Sequence, residues 1–310
     1  MVNITYIISD HLFFMKFIQS FWSKPFFDSI HKNNWNFRYN GGFPTPFLFY
    51  CSWMYSCLSI KKYYSNLHLI TDNRGIEIFK YALDLPYVSF SNSLNDLESY
   101  DKRLWAIGKL YAYMQQKESF CHIDGDVFIF GSVLNPLHNS QIFCQSFDYM
   151  VEQYEEIHLY IHKNFDNVPP EFQSNLSQKI KFINAGIIGG SNLSLFQLYT
   201  SKAFELIDNN LDKLDNINSG MFNLYYEQFL FSNIIANKNL EITSLYFKPD
   251  NKNEHNFAAF HHIPKQSQYV HLISYLKKST EFMEQIVARL QLEFPKYYSR
   301  LMHFYNNENT

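Results

Sequence analysis

A chain of 310 residues is long enough to bury one large α/β core, and 46% apolar with 18% charged residues is a globular composition. The net charge of −3, with no basic run, argues against nucleic acid as a partner, because a phosphate-backbone footprint rests on clustered Lys and Arg. The 31 Phe and 23 Tyr accompany abundant Asn and Lys, a bias that an AT-rich coding sequence produces by itself, so the aromatic excess is not read as a stacking surface.

At the front, ITYII and LFFMKFI are interrupted by Ser9, Asp10, His11 and Lys16, too early for a membrane span of about 20 residues, and no transmembrane segment is expected. The basic start and small-residue cleavage site of a signal peptide are also missing. MKFIQSFWSKP reads as a first strand leading into a loop. Starts at Met1 and at Met15 both stay open, and residues 1–14 are expected to be an extension outside a single domain over 15–310.

From Met15 short β-rich runs alternate with longer helical ones, the pattern of βαβ units and a mainly parallel sheet flanked by helices. KFIQSF is the first strand. Pro46 to Tyr63 carries Phe47, Cys51, Met54, Tyr55 and Leu58 at helical spacing. LHLIT (67–71) is the second strand, and the turn Asp72-Asn73-Arg74-Gly75 leads into a helix. YVSF (87–90) is the third. A helix is expected from about Leu97 to Gln116, with Leu104, Ile107, Tyr111 and Met114 on its apolar face and Lys109 opposite. FCHI (120–123) is a buried strand ending at Asp124. INAGIIGG (183–190) is a later strand closing in a Gly-rich turn, followed by helices over about 193–209 and through YYEQFLFSNII. YVHLI (269–273) is a short strand, and the tail is two helices broken near Pro295. Cys51, Cys57, Cys121 and Cys144 lack CxxC spacing and lie in apolar stretches, as reduced core thiols do, which favours the cytoplasm.

The chemistry centres on HIDGDVFIF (122–130). Two carboxylates one residue apart at the end of an apolar strand are unfavourable unless they face a crevice, are paired, or bind a cation. In open α/β sheets that crevice lies outside the carboxyl ends of the strands, and two hard oxygen ligands there suit Mg²⁺ or Mn²⁺ holding a diphosphate. The competing reading is an Asp-Gly hairpin turn.

Further on come Asn184-Ala185-Gly186, then Glu227-Gln228 within a helical run, then His271 with Lys277 six residues later. Together with Asp124 and Asp126, this order resembles the glycosyltransferases of the GT-A fold, a Rossmann-like nucleotide-diphospho-sugar transferase fold, and in particular the glycogenin and lipopolysaccharide galactosyltransferase family. The family usually has Gly where Ser274 stands, Pro where Lys278 stands and an acidic residue where Phe229 stands.

The resemblance implies a metal-dependent transfer of a hexose from a nucleotide diphosphate sugar, with UDP-sugar the first guess, to a hydroxyl on a glycan, lipid-linked or protein acceptor. It divides the domain into a nucleotide-binding half (15–130), an acceptor-side half (131–278) and C-terminal helices (279–310). It implies that Asp124, Asp126 and His271 hold Mn²⁺ or Mg²⁺, with Gly125 beside the diphosphate and Lys277 neutralising it. Lys109 would face the nucleotide, and Glu227 and Gln228 the sugar and acceptor. Asn184, Ala185 and Gly186 would let backbone approach the donor sugar, since Gly186 has no Cβ. If the sheet is wound this way, Ser20, Trp22, Thr71 and Asp72 lie towards base and ribose.

Each of these residues has a plainer reading. Trp22 beside Pro25 packs, Lys109 and Lys277 are solvated, Asn184 to Gly186 is a sheet-end turn, Glu227-Gln228 is a polar helix edge, and His261 or His262 replaces His271. Two rival functions also stand: a carbohydrate-binding protein on a transferase fold, and a haloacid-dehalogenase-type phosphohydrolase. The latter places its Asp pair after the first strand, whereas here it follows about the fourth. The location expected is the cytoplasm, with peripheral attachment at the inner membrane as its variant.

Overall fold

The computed structural model of the chain describes residues 15–27, 38–149, 152–173, 181–245, 260–263, 265 and 267–308; the extension expected over 1–14 lies outside them. Strand β1 (Lys16–Phe21) is followed by a single helical turn, α1 (Ser23–Phe26), and by the long helix α2 (Pro46–Lys61). The Thr45 hydroxyl accepts from Leu48 N and Pro46 opens the helix, so both start signals are local. Strand β2 (Leu67–Thr71) leads into α3 (Asn73–Ile76), which continues as a widened turn through residues 77–82, and then come β3 (Phe90–Ser91), α4 (Ile107–Met114) and β4 (Phe120–Ile123). These four strands are mutually parallel in the order β3-β2-β1-β4.

After β5 (Val127–Ile129) come β6 (Phe143–Tyr149), α5 (Glu152–Asn164), β7 (Lys181–Gly190), α6 (Leu193–Asp208), α7 (Ser219–Leu224) and α8 (Leu230–Asn237), the last two joined by a widened turn over 225–229. The chain then forms β8 (Thr243–Ser244), β9 (Tyr269–His271), α9 (Thr280–Glu293) and α10 (Pro295–Glu308). The main sheet has seven strands in the order β3-β2-β1-β4-β7-β6-β8, and β5 pairs with β9 in a separate ribbon.

Side chains alternate between two apolar cores along each central strand. Phe17, Leu69, Cys121 and Ile187 face one; Ile18, Ile70, Phe120 and Ile188 face the other. Burial on both faces explains why these strands read as continuous apolar runs. Helix α2 shares the first core with α9 and packs on α9, α10 and β5, so it is apolar all round. The four cysteines are buried, and none forms a disulfide. Among the described residues no helix is long and apolar enough to cross a membrane.

The sheet is mainly parallel, as expected, with β7 alone among its seven strands running against its neighbours, β4 and β6. Three expectations need correction. Strand β6 and helix α5 have no counterpart in the reading of the second half. The third strand is only Phe90–Ser91, although Val88 N still donates to Leu67 O. The helix expected from Leu97 begins at Ile107, because Asn223 from α7 takes Ala106 N on its Oδ1 (2.8 Å) and donates from Nδ2 to Arg103 O (2.7 Å), fixing a turn before α4. Its buried positions are Ile107, Leu110 and Tyr113 rather than Tyr111 and Met114.

Candidate active site

Strand β4 ends at the point where the strand order reverses between β1 and β4, the place at which open α/β sheets form a crevice. Asp124 N donates to Gly186 O (2.9 Å), and Asp124 O lies 3.4 Å from both Gln19 Nε2 and Ser56 Oγ. A Cβ at Gly125 would stand 2.2 Å from the Trp53 ring, so the residue between the carboxylates is pressed onto that indole and glycine is required there. The motif is not a hairpin: β5 departs to pair antiparallel with β9, with Val127 opposite His271 and Leu272 N donating to Asp126 O (3.0 Å). That pairing brings a histidine from 145 residues along the chain to the motif. One ligand atom each from Asp124, Asp126 and His271 lie within 4.8 Å of one another, and they are the only such metal-capable set among the described residues. His261, the rival, is exposed in the turn Phe260–His262.

Each carboxylate has its own cation. Lys277 Nζ lies 2.7 Å from Asp126 Oδ2, and His271 Nε2 lies 3.5 Å from Oδ1. Burial would push the Asp126 carboxyl up, but Lys277 and His271 outweigh it and hold the group well below the usual carboxylate range. Lys109 Nζ lies 3.0 Å from Asp124 Oδ1 and also pairs closely with Glu227. Here burial, with Asp126 and Glu227 adding like charge, outweighs Lys109 and raises the Asp124 pKa. Neither lysine is a solvated surface charge: Lys277 is buried and Lys109 half-buried, its side chain 14% exposed. His122 is neutral, since burial and Lys109 push its ring well below the ordinary value, and it shares a hydrogen bond with Ser20 Oγ (2.9 Å).

Asn184, Ala185 and Gly186 form an irregularity in β7: Cys144 is opposite Ile188 but Ser146 is opposite Asn184, so β7 carries extra residues across from Gln145. Asn184 Oδ1 accepts from Gly186 N (3.0 Å), and Ala185 O lies 3.4 Å from Lys109 Nζ. Gly186 is needed for a reason the sequence reading did not give. Its missing Cβ would fall 2.3 Å from His271 Cε1 and 2.6 Å from Gln145 Oε1, so the space is filled by protein.

Three other expected residues, Trp22, Thr71 and Asp72, make scaffold contacts. Trp22 is 6% exposed in the second core, and a Cβ on Gly108 would lie 2.9 Å from it, which is the packing role rather than a stacking platform. Asp72 caps α3 through Gly75 N (2.9 Å) and accepts from Ser23 N (2.6 Å), while Thr71 Oγ1 donates to Phe21 O (2.6 Å). Gln228 Oε1 accepts from Tyr154 (3.2 Å). Ser274 sits at φ +47°, a backbone conformation that favours glycine.

Two residues escaped the sequence reading. Gln145 Oε1 lies 2.8 Å from His271 Nδ1. Arg38 stacks 3.9 Å over the Trp105 ring, its charge disfavoured by burial and sustained by Asp126, Glu227 and Asp124. Neither lies in a recognisable motif; the only signal for Arg38 was its position before Asn40-Gly41-Gly42, three residues with left-handed backbone, whose Gly41 O lies 3.4 Å from Lys277 Nζ.

The chain belongs to the family described as "Family of unknown function (DUF6734)", which matches residues 15–304. No curated protein matches it. Among solved structures it is similar to mouse xyloside xylosyltransferase 1 in its apo form, at 11% identity and a TM-score of 0.40, over 83% of this chain and 96% of that one. It is also similar to the WbbM bifunctional glycosyltransferase in its apo form, at 12% identity and a TM-score of 0.44, over 93% of this chain but only 52% of that one, so it spans about half of WbbM. At these values no residue's role carries over from either structure.

Proposed function

We propose that the chain is a metal-dependent glycosyltransferase of GT-A architecture, which transfers a hexose from a nucleoside diphosphate sugar, uridine first, to a hydroxyl acceptor. The observation that carries this reading is the convergence of Asp124, Asp126 and His271 on one point at the carboxyl edge of the parallel strands. The donor set fits the cation. Two carboxylates with one imidazole nitrogen are ligands that Mn²⁺ accepts, and the oxygens also suit Mg²⁺. A cation bound there stabilises charge developing on the departing diphosphate.

The chain's own residues do the rest. Lys277, already on Asp126, adds positive charge beside the phosphates, and Arg38 over Trp105 is close enough to join it, since a Cβ on Gly42 would lie within 4 Å of both side chains. Lys109 ties Glu227 to Asp124, so the carboxylate offered to the sugar or acceptor is positioned by the same network that holds the cation. Asn184 and Gln228 complete the sugar side of this reading.

Nucleotide sugars incubated with the protein and Mn²⁺ should release nucleoside diphosphate by slow hydrolysis even without acceptor. EDTA should stop the release, and Asp124→Asn should abolish it while leaving a folded protein. Release that persists in EDTA would reject the metal-dependent reading; binding of free sugars with no release from any donor would favour a carbohydrate-binding protein.

A further inference from the structure

We propose that Gln145 is a positioning residue that fixes the tautomer and orientation of His271 for the cation, an assignment that rests on the reading of Asp124, Asp126 and His271 as a cation site. Gln145 is fully buried, and its Oε1 lies 2.8 Å from His271 Nδ1. An amide oxygen only accepts, so Nδ1 carries the proton and donates. With Nδ1 committed to Gln145, Nε2, which faces Asp126 at 3.5 Å, is the ring nitrogen that can present a lone pair once a cation takes the place of its proton.

Three further features hold the glutamine in that place. The register of β6 against β7 slips at Gln145, between Cys144 and Ser146, where a regular ladder would aim the side chain differently. Its carbonyl accepts from Ser244 Oγ (3.4 Å), tying the slipped residue to β8. The Gly186 backbone leaves the volume in which the amide and the ring meet, since a Cβ would lie 2.6 Å from Gln145 Oε1 and 2.5 Å from His271 Nδ1. Among the described residues Gln145 Nε2 has no hydrogen-bond partner. A buried amide donor left unsatisfied is destabilising, which a residue placed only for packing would avoid. The Asn-Ala-Gly segment thereby supports the histidine from beneath.

The test is Mn²⁺ binding to the full chain in the presence of UDP, read from the electron paramagnetic resonance of free Mn²⁺. It is paired with long-range ¹H–¹⁵N spectra of the His271 ring in metal-free protein. Gln145→Met, of similar length but without the acceptor, should weaken Mn²⁺ binding about 10–100-fold and remove the pure Nδ1–H pattern. Gln145→Glu retains an acceptor and should bind Mn²⁺ within about threefold of wild type. Wild-type protein that binds Mn²⁺, with a folded Gln145→Met that binds equally and keeps the tautomer, overturns the role of Gln145 alone. If Gln145→Met does not fold, Gln145→Glu with unchanged tautomer but Mn²⁺ affinity reduced as far as the range above overturns it too. Wild-type protein that takes up no Mn²⁺ overturns both this assignment and the cation site.

Discussion

The two ends of the Asp-Gly-Asp motif differ more than their spacing suggests. Asp126 has a lysine and a histidine to itself, and its carboxyl titrates far below the ordinary range. Asp124 shares a single ammonium, that of Lys109, with Glu227, and its pKa is raised. Without a cation the neighbouring charges outweigh burial at Asp126, whereas at Asp124 burial, with Asp126 and Glu227 adding like charge, outweighs Lys109. A divalent cation bound there would offset it.

Neutralising each aspartate in the metal-free protein should therefore act in opposite directions. Asp126→Asn leaves Lys277 buried without its partner and should lower stability to urea by about 3 kcal/mol, as expected for a broken buried ion pair. Asp124→Asn leaves Lys109 with Glu227 alone and should raise stability by about 1 kcal/mol, with loss of function as the counterpart. Equal destabilisation by the two variants would break the contrast.

Acid sharpens it. The depressed Asp126 group stabilises the fold above the ordinary carboxylate range, and that contribution disappears only as the pH falls through it, below about 4. Asp124 has the opposite sign: its raised pKa means that ionisation weakens the native state and protonation relieves it. Away from the site, burial and the neighbouring His162 push His158 down to about 4. The native state keeps this ring neutral while the unfolded chain protonates it, so stability should already fall between about pH 6.5 and 4. His158→Gln should make the fall in urea midpoints across that window shallower without abolishing it, since His122 and His68 are also held below the ordinary value, and should leave the loss at lower pH, to which the depressed carboxyls of Asp126, Asp101, Asp212 and Glu293 contribute.

The sequence made the first half of the sheet readable because KFIQSF, LHLIT and FCHI are buried on both faces and bounded by polar turns. The helix α2 was readable from its start signals and length. Strand β6 was not, since FCQSFDY mixes apolar and polar residues and slips its register at the polar Gln145. Four of the site residues, Asp124, Asp126, His271 and Lys277, were legible as types in an order, and the ribbon of β5 with β9 is what joins them. For Lys109 two readings stay open in the sequence, because helix periodicity shows which side of α4 it lies on but not what faces that side. There stand Asp124 and Glu227, from two other elements. The same limit hid Gln145 and Arg38, whose partners are distant in sequence.

The most direct test of the cation site is the melting temperature of wild-type protein with UDP, with and without Mn²⁺. A ligand at about 100 times its dissociation constant stabilises the native state by roughly 2.7 kcal/mol. For a chain of this size that corresponds to at least about 2 °C. This shift is expected with UDP and Mn²⁺ together, with its disappearance in EDTA and its weakening in His271→Ala. A shift of the same size with UDP in EDTA, or none with any nucleoside diphosphate and either Mn²⁺ or Mg²⁺, would contradict the cation site.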